Sequence, residues 1–323
     1  MFHLNFNPEK SLEKINHTQE VLFIGSCFSE HISKKLVDLK FEIDSNPFGI
    51  VFNPKSIYLT LQNCIQNTEI NDLHYIERDQ NWFCLDAHSS LNSSKKNELQ
   101  STLLDARTNW RKKINTANWL VITFGSANCY EFIKTQTIVS NCHKLPANQF
   151  IKKMISTQDI VSDYNILINE LKLINPNLKI IFTVSPVKHL RDGVIENSLS
   201  KSILIQAAHQ LISKHANCFY FPAYELITDD LRDYRFYESD MAHPTTQAIN
   251  YVFDKFVEVY FNDETKYINK QLVEINTAYK HRAFNAESAS HIKFKDGMLL
   301  KCIELTKEFP FIDLSIEIKY FSH

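Results

Sequence analysis

Two side chains that could act as nucleophiles, the hydroxyl of Ser26 and the thiol of Cys27, follow directly after the short apolar run 21–25. Ile32 and Leu36 then recur at helical spacing, so this segment predicts a strand, a tight turn and a helix. A group at the first turn of a helix lies in the field of the helix N-terminus, which stabilises a thiolate or a developing oxyanion. The alternative is that Ser26 only caps the helix and Cys27 is an inert buried thiol.

A candidate base for such a nucleophile lies far along the chain, in the segment Asp240 to His243 that precedes Pro244. A carboxylate three residues before a histidine can hold one ring nitrogen, which leaves the other free to accept a proton. Alone, this spacing is common on protein surfaces. Together with a nucleophile after the first strand it predicts a triad in the order nucleophile, Asp240, His243.

Acyl chemistry also needs hydrogen-bond donors for an oxyanion, and three residues are candidates. Gly49, Gly125 and Asn128 lie in segments that could face the nucleophile across the strand ends. The simpler interpretation is that Gly49 forms a turn and that Asn128 stabilises one with its side chain.

Polar residues after the apolar run 179–184 could contact a substrate. His189 and Arg191 could bind a carboxylate or sugar hydroxyls, because arginine offers a planar fork of donors and histidine a switchable one. Alternatively, Arg191 belongs to a solvated turn before Gly193. A further charged group, Arg232, Asp233 and Arg235, is predicted to form an ion-pair network that holds Asp240 and His243.

The elements that would position these residues alternate between strands and helices. Largely apolar runs at 21–25, 119–125 and 179–185 predict buried strands, with a shorter strand at 218–221. Helical periodicity marks 158–173, about 198–215 and the segment after Pro244. This alternation predicts an α/β fold, a three-layer flavodoxin-like parallel sheet with helices on both faces. Ligands in such sheets gather at the carboxyl ends of the strands, where Gly25 and Gly125 lie.

The rhythm changes near residue 263, so we predict a catalytic domain over 1–262 and a C-terminal appendage over 263–323. A charged helix is expected at 269–286. Short strands are expected at 298–302 and 311–318, the second because it alternates with period two. The sequence gives no function for the appendage.

Composition restricts the partners. The 323 residues carry a net charge of −2, with acidic and basic residues mixed, so neither nucleic acid nor a membrane is an expected partner. No segment approaches the roughly 20 apolar residues that span a bilayer, and the N-terminal residues do not resemble a signal peptide. We therefore expect a cytoplasmic protein. The seven irregularly spaced cysteines predict free thiols, and no nucleotide or metal motif is present, so we expect no cofactor and no metal.

The order of these motifs resembles the four sequence blocks of the SGNH or GDSL hydrolase superfamily. The local sequence most resembles the GSCFA-domain family. The resemblance covers roughly residues 20–260, in the segments 24–29, 46–50, 53–54, 185–193, 196–197, 199–201 and 231–237. The resemblance implies an SGNH-type sheet and acyl-ester chemistry, without naming a substrate.

Two departures from the superfamily pattern concern the site. The superfamily reads Gly-Asp-Ser where this chain reads Gly25-Ser26-Cys27, so an ungapped match makes Cys27 the nucleophile, and a one-residue slip makes it Ser26. The segment from Gly125 to Asn128 is one residue longer than the usual Gly-x-Asn.

The sequence therefore predicts an acyl-ester hydrolase acting on an ester of unknown identity, with carbohydrate esters among the candidates. An acyltransferase on the same site is one alternative, because water or an alcohol could accept the acyl group. A protein that binds a glycan or an acidic ligand without turnover is another. A thiol redox protein would need Cys129 beside Cys27 in space.

Overall fold

The structure is a computed structural model that describes residues 4–282 and 288–322. Its strands, numbered in chain order, are β1 (Glu20–Gly25), β2 (Glu42–Ser45), β3 (Tyr75–Arg78), β4 (Asn81–Cys84), β5 (Asn92–Ser93), β6 (Trp119–Phe124), β7 (Asn128–Phe132), β8 (Thr137–Val139), β9 (Phe150–Met154), β10 (Lys179–Val184) and β11 (Cys218–Phe221). Its helices are α1 (Cys27–Asp38), α2 (Pro54–Gln66), α3 (Lys96–Thr116), α4 (Thr157–Ile174), α5 (Val194–Lys214), α6 (Ala223–Glu225), α7 (Thr246–Tyr260), α8 (Asp263–Lys280), α9 (Ala289–Glu308) and α10 (Ser315–Phe321).

A parallel five-stranded sheet forms the centre of the molecule, in the order β2, β1, β6, β10, β11. This is the flavodoxin-like order, and the predicted fold class is confirmed. The three central strands consist almost wholly of buried apolar residues, as expected for strands covered on both faces. The chain runs from β1 outward to β2 and then returns to β6 on the other side of β1. Such a reversal of strand order opens a crevice at the carboxyl ends of β1 and β6.

Helices cover both faces of this sheet. Alternate side chains of β1 point to opposite faces, so Val21 and Phe23 pack with α1 and α7 to α10, whereas Leu22 and Ile24 pack with α2 to α5. Local signals fix where the helices begin. Asn53 caps α2, Ser156 and Asp159 form a capping box on α4, and Thr245 caps α7.

Two small antiparallel sheets, β3–β4–β5 and β8–β7–β9, were not predicted. Their strands have two to five residues and mix polar with apolar side chains, so no period stands out. The loop between β4 and β5 reaches the turn at Gly49, because a β-carbon on Gly49 would lie 2.5 Å from Cβ of His88. These insertions therefore form walls near the carboxyl edge of the main sheet.

The predicted strands at 298–302 and 311–318 are wrong, because both segments belong to helices α9 and α10 or to the turn between them. Cys302 and Leu305 are the buried residues of α9, and their spacing is helical. In the second segment, Glu317 is buried on α10 and paired with Lys40 at 2.7 Å. Because a charged residue occupies this inward position, apolar and polar residues alternate along the segment as they would in a strand.

The helix predicted at 269–286 begins earlier, as α8, and residues 283–286 lie outside the described ranges. The described part of the C-terminal segment shares the hydrophobic core of the main sheet. The domain boundary at residue 262 stays a prediction. No helix in the described part of the chain has both the length and the apolar character needed to cross a bilayer.

Candidate active site

Ser26 has a structural position at the turn between β1 and α1. It is the N-cap of α1, its Oγ accepts a hydrogen bond from the Phe28 amide at 3.3 Å, and it is 2% exposed. Its own amide donates to the Thr123 carbonyl of β6 at 3.3 Å. The hydroxyl is therefore already used as a helix cap and is shielded from any substrate.

Cys27 is the first residue of α1 and is partly exposed. Burial raises the pKa of its thiol above the ordinary value, although hydrogen bonds from the Phe28 and Cys27 amides and the charge of Lys201 oppose that shift. The thiol thus faces the Cys27 and Phe28 amides at the start of the helix, which favour a negative sulfur, although the Phe28 amide also donates to Ser26 Oγ. Activation still requires a base, because the protonated form prevails at neutral pH.

Gly25 makes the turn possible by bringing two strands into close approach. Its φ is +140°, and a β-carbon would lie 2.2 Å from the Thr123 carbonyl oxygen. The Gly25 amide donates to Oδ1 of Asn46 at 2.9 Å, and Asn46 is itself left-handed at φ 49°. Asn46 was missed as a site-supporting residue. The available signal was an asparagine in the loop after β2, since asparagine tolerates this conformation and bonds to nearby backbone.

The Asp240–His243 loop has the predicted local geometry. Asp240 Oδ2 lies 2.6 Å from His243 Nδ1, and its Oδ1 accepts the amides of Ala242 and His243 at 2.9 Å each. These three hydrogen bonds, led by the His243 amide, lower the Asp240 pKa to about 2. The carboxylate fixes the histidine ring through Nδ1, which leaves Nε2 as the free position.

His243 and Cys27 share one edge of the sheet without a direct bond. Electrostatic interactions join His243 to His31 on α1 and to His189 after β10. Within residues 4–282 and 288–322, no hydrogen bond connects the Cys27 sulfur with the His243 ring. Catalytic hydrogen bonds often tighten only when substrate binds, so this looseness is compatible with a nucleophile and its base.

The backbone amides of both glycines predicted as oxyanion donors are already engaged. The Gly49 amide donates to the Asn46 carbonyl at 2.8 Å, and the Gly125 amide donates to the Phe52 carbonyl at 2.7 Å. The structure therefore contradicts the use of these two amides as oxyanion donors. Both positions require glycine for steric reasons. A β-carbon on Gly125 would lie 2.8 Å from Cβ of Phe52, and one on Gly49 would lie 2.5 Å from Cβ of His88.

Asn128 begins β7 and is 8% exposed. Its amide donates to Ser126 Oγ at 3.1 Å, and its carboxamide makes no hydrogen bond to another described residue. The side chain is thus uncommitted, and its role as an oxyanion donor stays a prediction.

His189 lies beside Gly125, and Arg191 follows it on an exposed single turn; their predicted role in substrate binding stays a prediction. His189 Nε2 is 3.4 Å from the position of a β-carbon on Gly125, and its ring stacks on Phe52 with centroids 5.2 Å apart. Burial, then the charges of Lys201 and His243, lower its pKa to about 4. His189 is therefore a neutral imidazole at physiological pH.

Lys201 is the main residue that sequence reasoning missed. It is 1% exposed, and its Nζ donates to the carbonyls of Gly125 at 2.6 Å and Ser185 at 2.7 Å. Burial lowers its pKa to about 7, whereas Cys27 acts to raise it. No carboxylate pairs with it among the residues described. The signal was visible, because Lys201 falls within the apolar stripe of α5 that contains Leu204, Ala208 and Leu211.

The remaining cysteines give no support to a redox role. All seven are free thiols, and Cys64, Cys84, Cys129, Cys218 and Cys302 are buried. Cys129 interacts with Lys153, Glu131 and Lys55 rather than with Cys27.

The order of the sequence motifs agrees with the family models that match this chain. The model of the GSCFA family matches residues 20–256. The chain belongs to the GSCFA family. A second model, described as the C-terminal domain of GSCFA domain proteins, matches residues 273–323. A search of curated proteins found no match.

Solved structures similar to this GSCFA protein are distant. A candidate GDSL-like lipase from Parabacteroides merdae is 15% identical with a TM-score of 0.41, over 78% of this chain and 98% of that one. A catalytic mutant of an acetylxylan esterase from Geobacillus stearothermophilus is 12% identical with a TM-score of 0.38, over 77% and 97%. An acetylxylan esterase from the rumen bacterium Butyrivibrio proteoclasticus is 11% identical with a TM-score of 0.39, over 80% and 65%. Similarity this low says nothing about substrate.

Proposed function

We propose that this GSCFA protein is an acyl-ester hydrolase whose nucleophile is the Cys27 thiol. The observation that carries the proposal is the contrast between two adjacent residues at the helix start. Ser26 is buried and caps α1, whereas Cys27 is partly exposed with its sulfur facing the helix amides. The ungapped match to the superfamily's Gly-Asp-Ser and the local geometry therefore both support the Cys27 sulfur as the nucleophile.

In the proposed reaction, His243 Nε2 removes the thiol proton while the sulfur attacks the ester carbonyl carbon. The tetrahedral intermediate collapses, the alcohol leaves with that proton, and an acyl-Cys27 thioester remains. Water then attacks the thioester, His243 takes one of its protons, and the acid departs as the proton returns to the sulfur. Asp240 orients the ring and stabilises the imidazolium that forms in each step.

Three features of the chain would stabilise charge during these steps. The helix amides at Cys27 face the sulfur, and the Asn128 carboxamide is a free donor for the carbonyl oxygen. Lys201 supplies a buried positive charge that interacts with Cys27. An unpaired buried ammonium is costly, so a thiolate at Cys27 and an ammonium at Lys201 would stabilise each other.

Competitive labelling of the thiols tests the proposal. Cys27 and Cys142 are the two partly exposed cysteines, which makes Cys142 an internal control. We expect iodoacetamide to modify Cys27 at least about tenfold faster than Cys142 at neutral pH, as for an activated thiolate. His243→Ala should slow the labelling of Cys27 and leave that of Cys142 unchanged. A fluorophosphonate should modify Ser26 and the other serines much more slowly than iodoacetamide modifies Cys27.

Hydrolysis of 4-nitrophenyl acetate, followed by the acyl-enzyme mass, provides the second readout. Wild type should show a transient acetyl adduct at Cys27, which Cys27→Ala lacks. Equal labelling of Cys27 and Cys142, indifferent to His243 and without ester turnover, would instead support a binding protein. Adding alcohols and measuring ester product against acid then separates a transferase from a hydrolase.

A further inference from the structure

A cavity of about 200 Å³ lies beside the loop that bears His243. Its walls include Lys188, Arg232, Tyr234 and Tyr237. The amide of Lys188 donates to the Ala242 carbonyl at 3.0 Å, directly before His243. On the opposite side of the loop, Tyr237 forms an antiparallel bridge with Pro244. The cavity is therefore attached to the His243 loop through two separate backbone contacts.

Aromatic rings hold the ammonium of Lys188 without neutralising it. Its Nζ lies 4.0 Å from the ring centre of Tyr237 and 4.6 Å from that of Tyr234. Cation–π contacts of this kind fix the position of a charge, and they leave its other side free for an anion. No carboxylate pairs with Lys188 in the part of the chain that the structure describes.

Arg232 contributes a second positive charge to the same cavity. It is exposed and left-handed at φ 41°, and its guanidinium has no ion pair within the described ranges. Of the predicted network, the Asp233–Arg235 ion pair is present, but it does not hold Asp240, whose hydrogen bonds to described residues all lie within its own loop. Asp233 is occupied by Arg235, which binds one oxygen through its amide at 2.9 Å and the other through its guanidinium at 3.0 Å.

Among the described residues that line the cavity, Lys188 and Arg232 thus have no ion-pair partner, and the lining carboxylate, Asp233, is already paired. Such an arrangement attracts an anion, and arginine in particular fits the planar geometry of a carboxylate.

We propose that this cavity binds a carboxylate of the substrate, so that the preferred esters carry an acid group near the bond to be cleaved. This inference rests on the proposed hydrolase function. It assigns Lys188 and Arg232 to substrate recognition and separates them from the reacting atoms at Cys27 and His243.

Two activated esters that differ by a carboxylate test the proposal. We expect wild type to favour mono-4-nitrophenyl succinate over 4-nitrophenyl acetate by about tenfold in kcat/KM, the effect of one well-placed ion pair. Lys188→Met or Arg232→Gln should each reduce that ratio severalfold, and the double variant should bring it near one. Lys214→Gln removes an exposed positive charge at the far end of α5 and should leave the ratio unchanged. Equal ratios in all variants would overturn the assignment.

A binding measurement distinguishes failure of this site from failure of the hydrolase. Calorimetry on Cys27→Ala with monomethyl succinate should show binding that disappears when Lys188 and Arg232 are both replaced. Binding without any ester turnover in wild type would refute the hydrolase and retain the carboxylate site. Turnover of both esters without such binding would do the reverse. Tighter binding of inorganic phosphate than of monomethyl succinate would contradict the choice of a carboxylate.

Discussion

Cys27 follows a turn that its surroundings determine almost completely, whereas His243 lies on a loop that mainly its own backbone holds. On the first side, Gly25 leaves no space for a β-carbon and the Ser26 hydroxyl is buried. On the second side, the side chains of His243 and Asp240 are 54% and 49% exposed. One half of the proposed site is built into the core, and the other rests on local hydrogen bonds.

The two halves of the site should therefore respond differently to substitution. A change at the nucleophile turn must disturb the contact between β1 and β6 and therefore the whole sheet. A change on the His243 loop alters chemistry with little effect on folding, because few buried contacts depend on it. Stability and activity should thus respond in opposite proportions on the two sides.

Gly25→Ala is the strongest way to test the rigid half. The added carbon would meet the Thr123 carbonyl oxygen at 2.2 Å in a backbone conformation that suits glycine. We expect a loss of more than about 4 kcal/mol in the free energy of unfolding, measured by urea titration. Gly297→Ala is the matched control, because that glycine lies in α9 with open space around it and should gain up to about 1 kcal/mol. Similar outcomes for both substitutions would contradict the contrast.

Asp240→Asn tests the exposed half. The amide can no longer stabilise the imidazolium or fix the same tautomer, so we expect kcat for ester hydrolysis to fall about 10³-fold. The urea midpoint should stay at the wild-type value, since the side chain is solvent-exposed. A large drop in stability with residual activity would show that this loop is structural.

Lys201 is buried, interacts with Cys27 and should make the free energy of unfolding depend on pH. Its folded pKa of about 7 lies below the unfolded value of 10.5, so between these values the unfolded chain binds the extra proton. Stability should therefore rise with pH from about 7 to 9, with a slope approaching about 1.4 kcal/mol per pH unit for one complete proton difference.

The groups facing Lys201 are Cys27 on α1, His189 after β10 and Tyr224 on α6. His189 titrates well below this window, and burial raises the pKa values of Cys27 and Tyr224. Urea titrations across the window should show the rise in wild type and lose it in Lys201→Met. Persistence of the rise in that variant would assign it to another group.

Ser26→Ala should have the smallest effect and sharpens the choice of nucleophile. Loss of the helix cap should cost about 1 kcal/mol of stability. Labelling of Cys27 by iodoacetamide and formation of the acetyl adduct should persist. Abolition of the adduct in a folded Ser26→Ala protein would transfer the nucleophile to Ser26.

The fold was predictable because β1, β6 and β10 are continuous apolar runs separated by helical periodicity. The Asp240–His243 bond was also predictable, since three residues of spacing determine it. The Gly49 amide is engaged by Asn46, three residues earlier, which is the local turn that the sequence offered as the simpler interpretation. The engagement of the Gly125 amide was not predictable, because only tertiary structure brings the Phe52 carbonyl near it. The same holds for the cavity at Lys188, whose two tyrosines lie more than forty residues away in sequence.

Errors arose where a buried charge disturbed the pattern. Glu317 on α10 occupies an inward position because Lys40 neutralises it, and Lys201 occupies one on α5 because two carbonyls accept its protons. Hydrophobic periodicity treats each as an outward residue and so misjudges the local element or overlooks its role. An ionisable residue within an otherwise apolar helix face is thus a sequence signal for a buried charge with a structural or functional role.

Helices α8 to α10 cover the same face of the sheet as α1 and α7, and Leu272, Cys302 and Phe321 belong to the cluster that contains Val21 and Phe23. These helices leave the ribosome after all five strands of the main sheet. Until then, only α1 and α7 are available to cover that face, so the apolar residues that pack against α8 to α10 remain exposed to chaperones and to aggregation. Synthesis of the C-terminal helices therefore sets the moment at which this protein escapes that hazard.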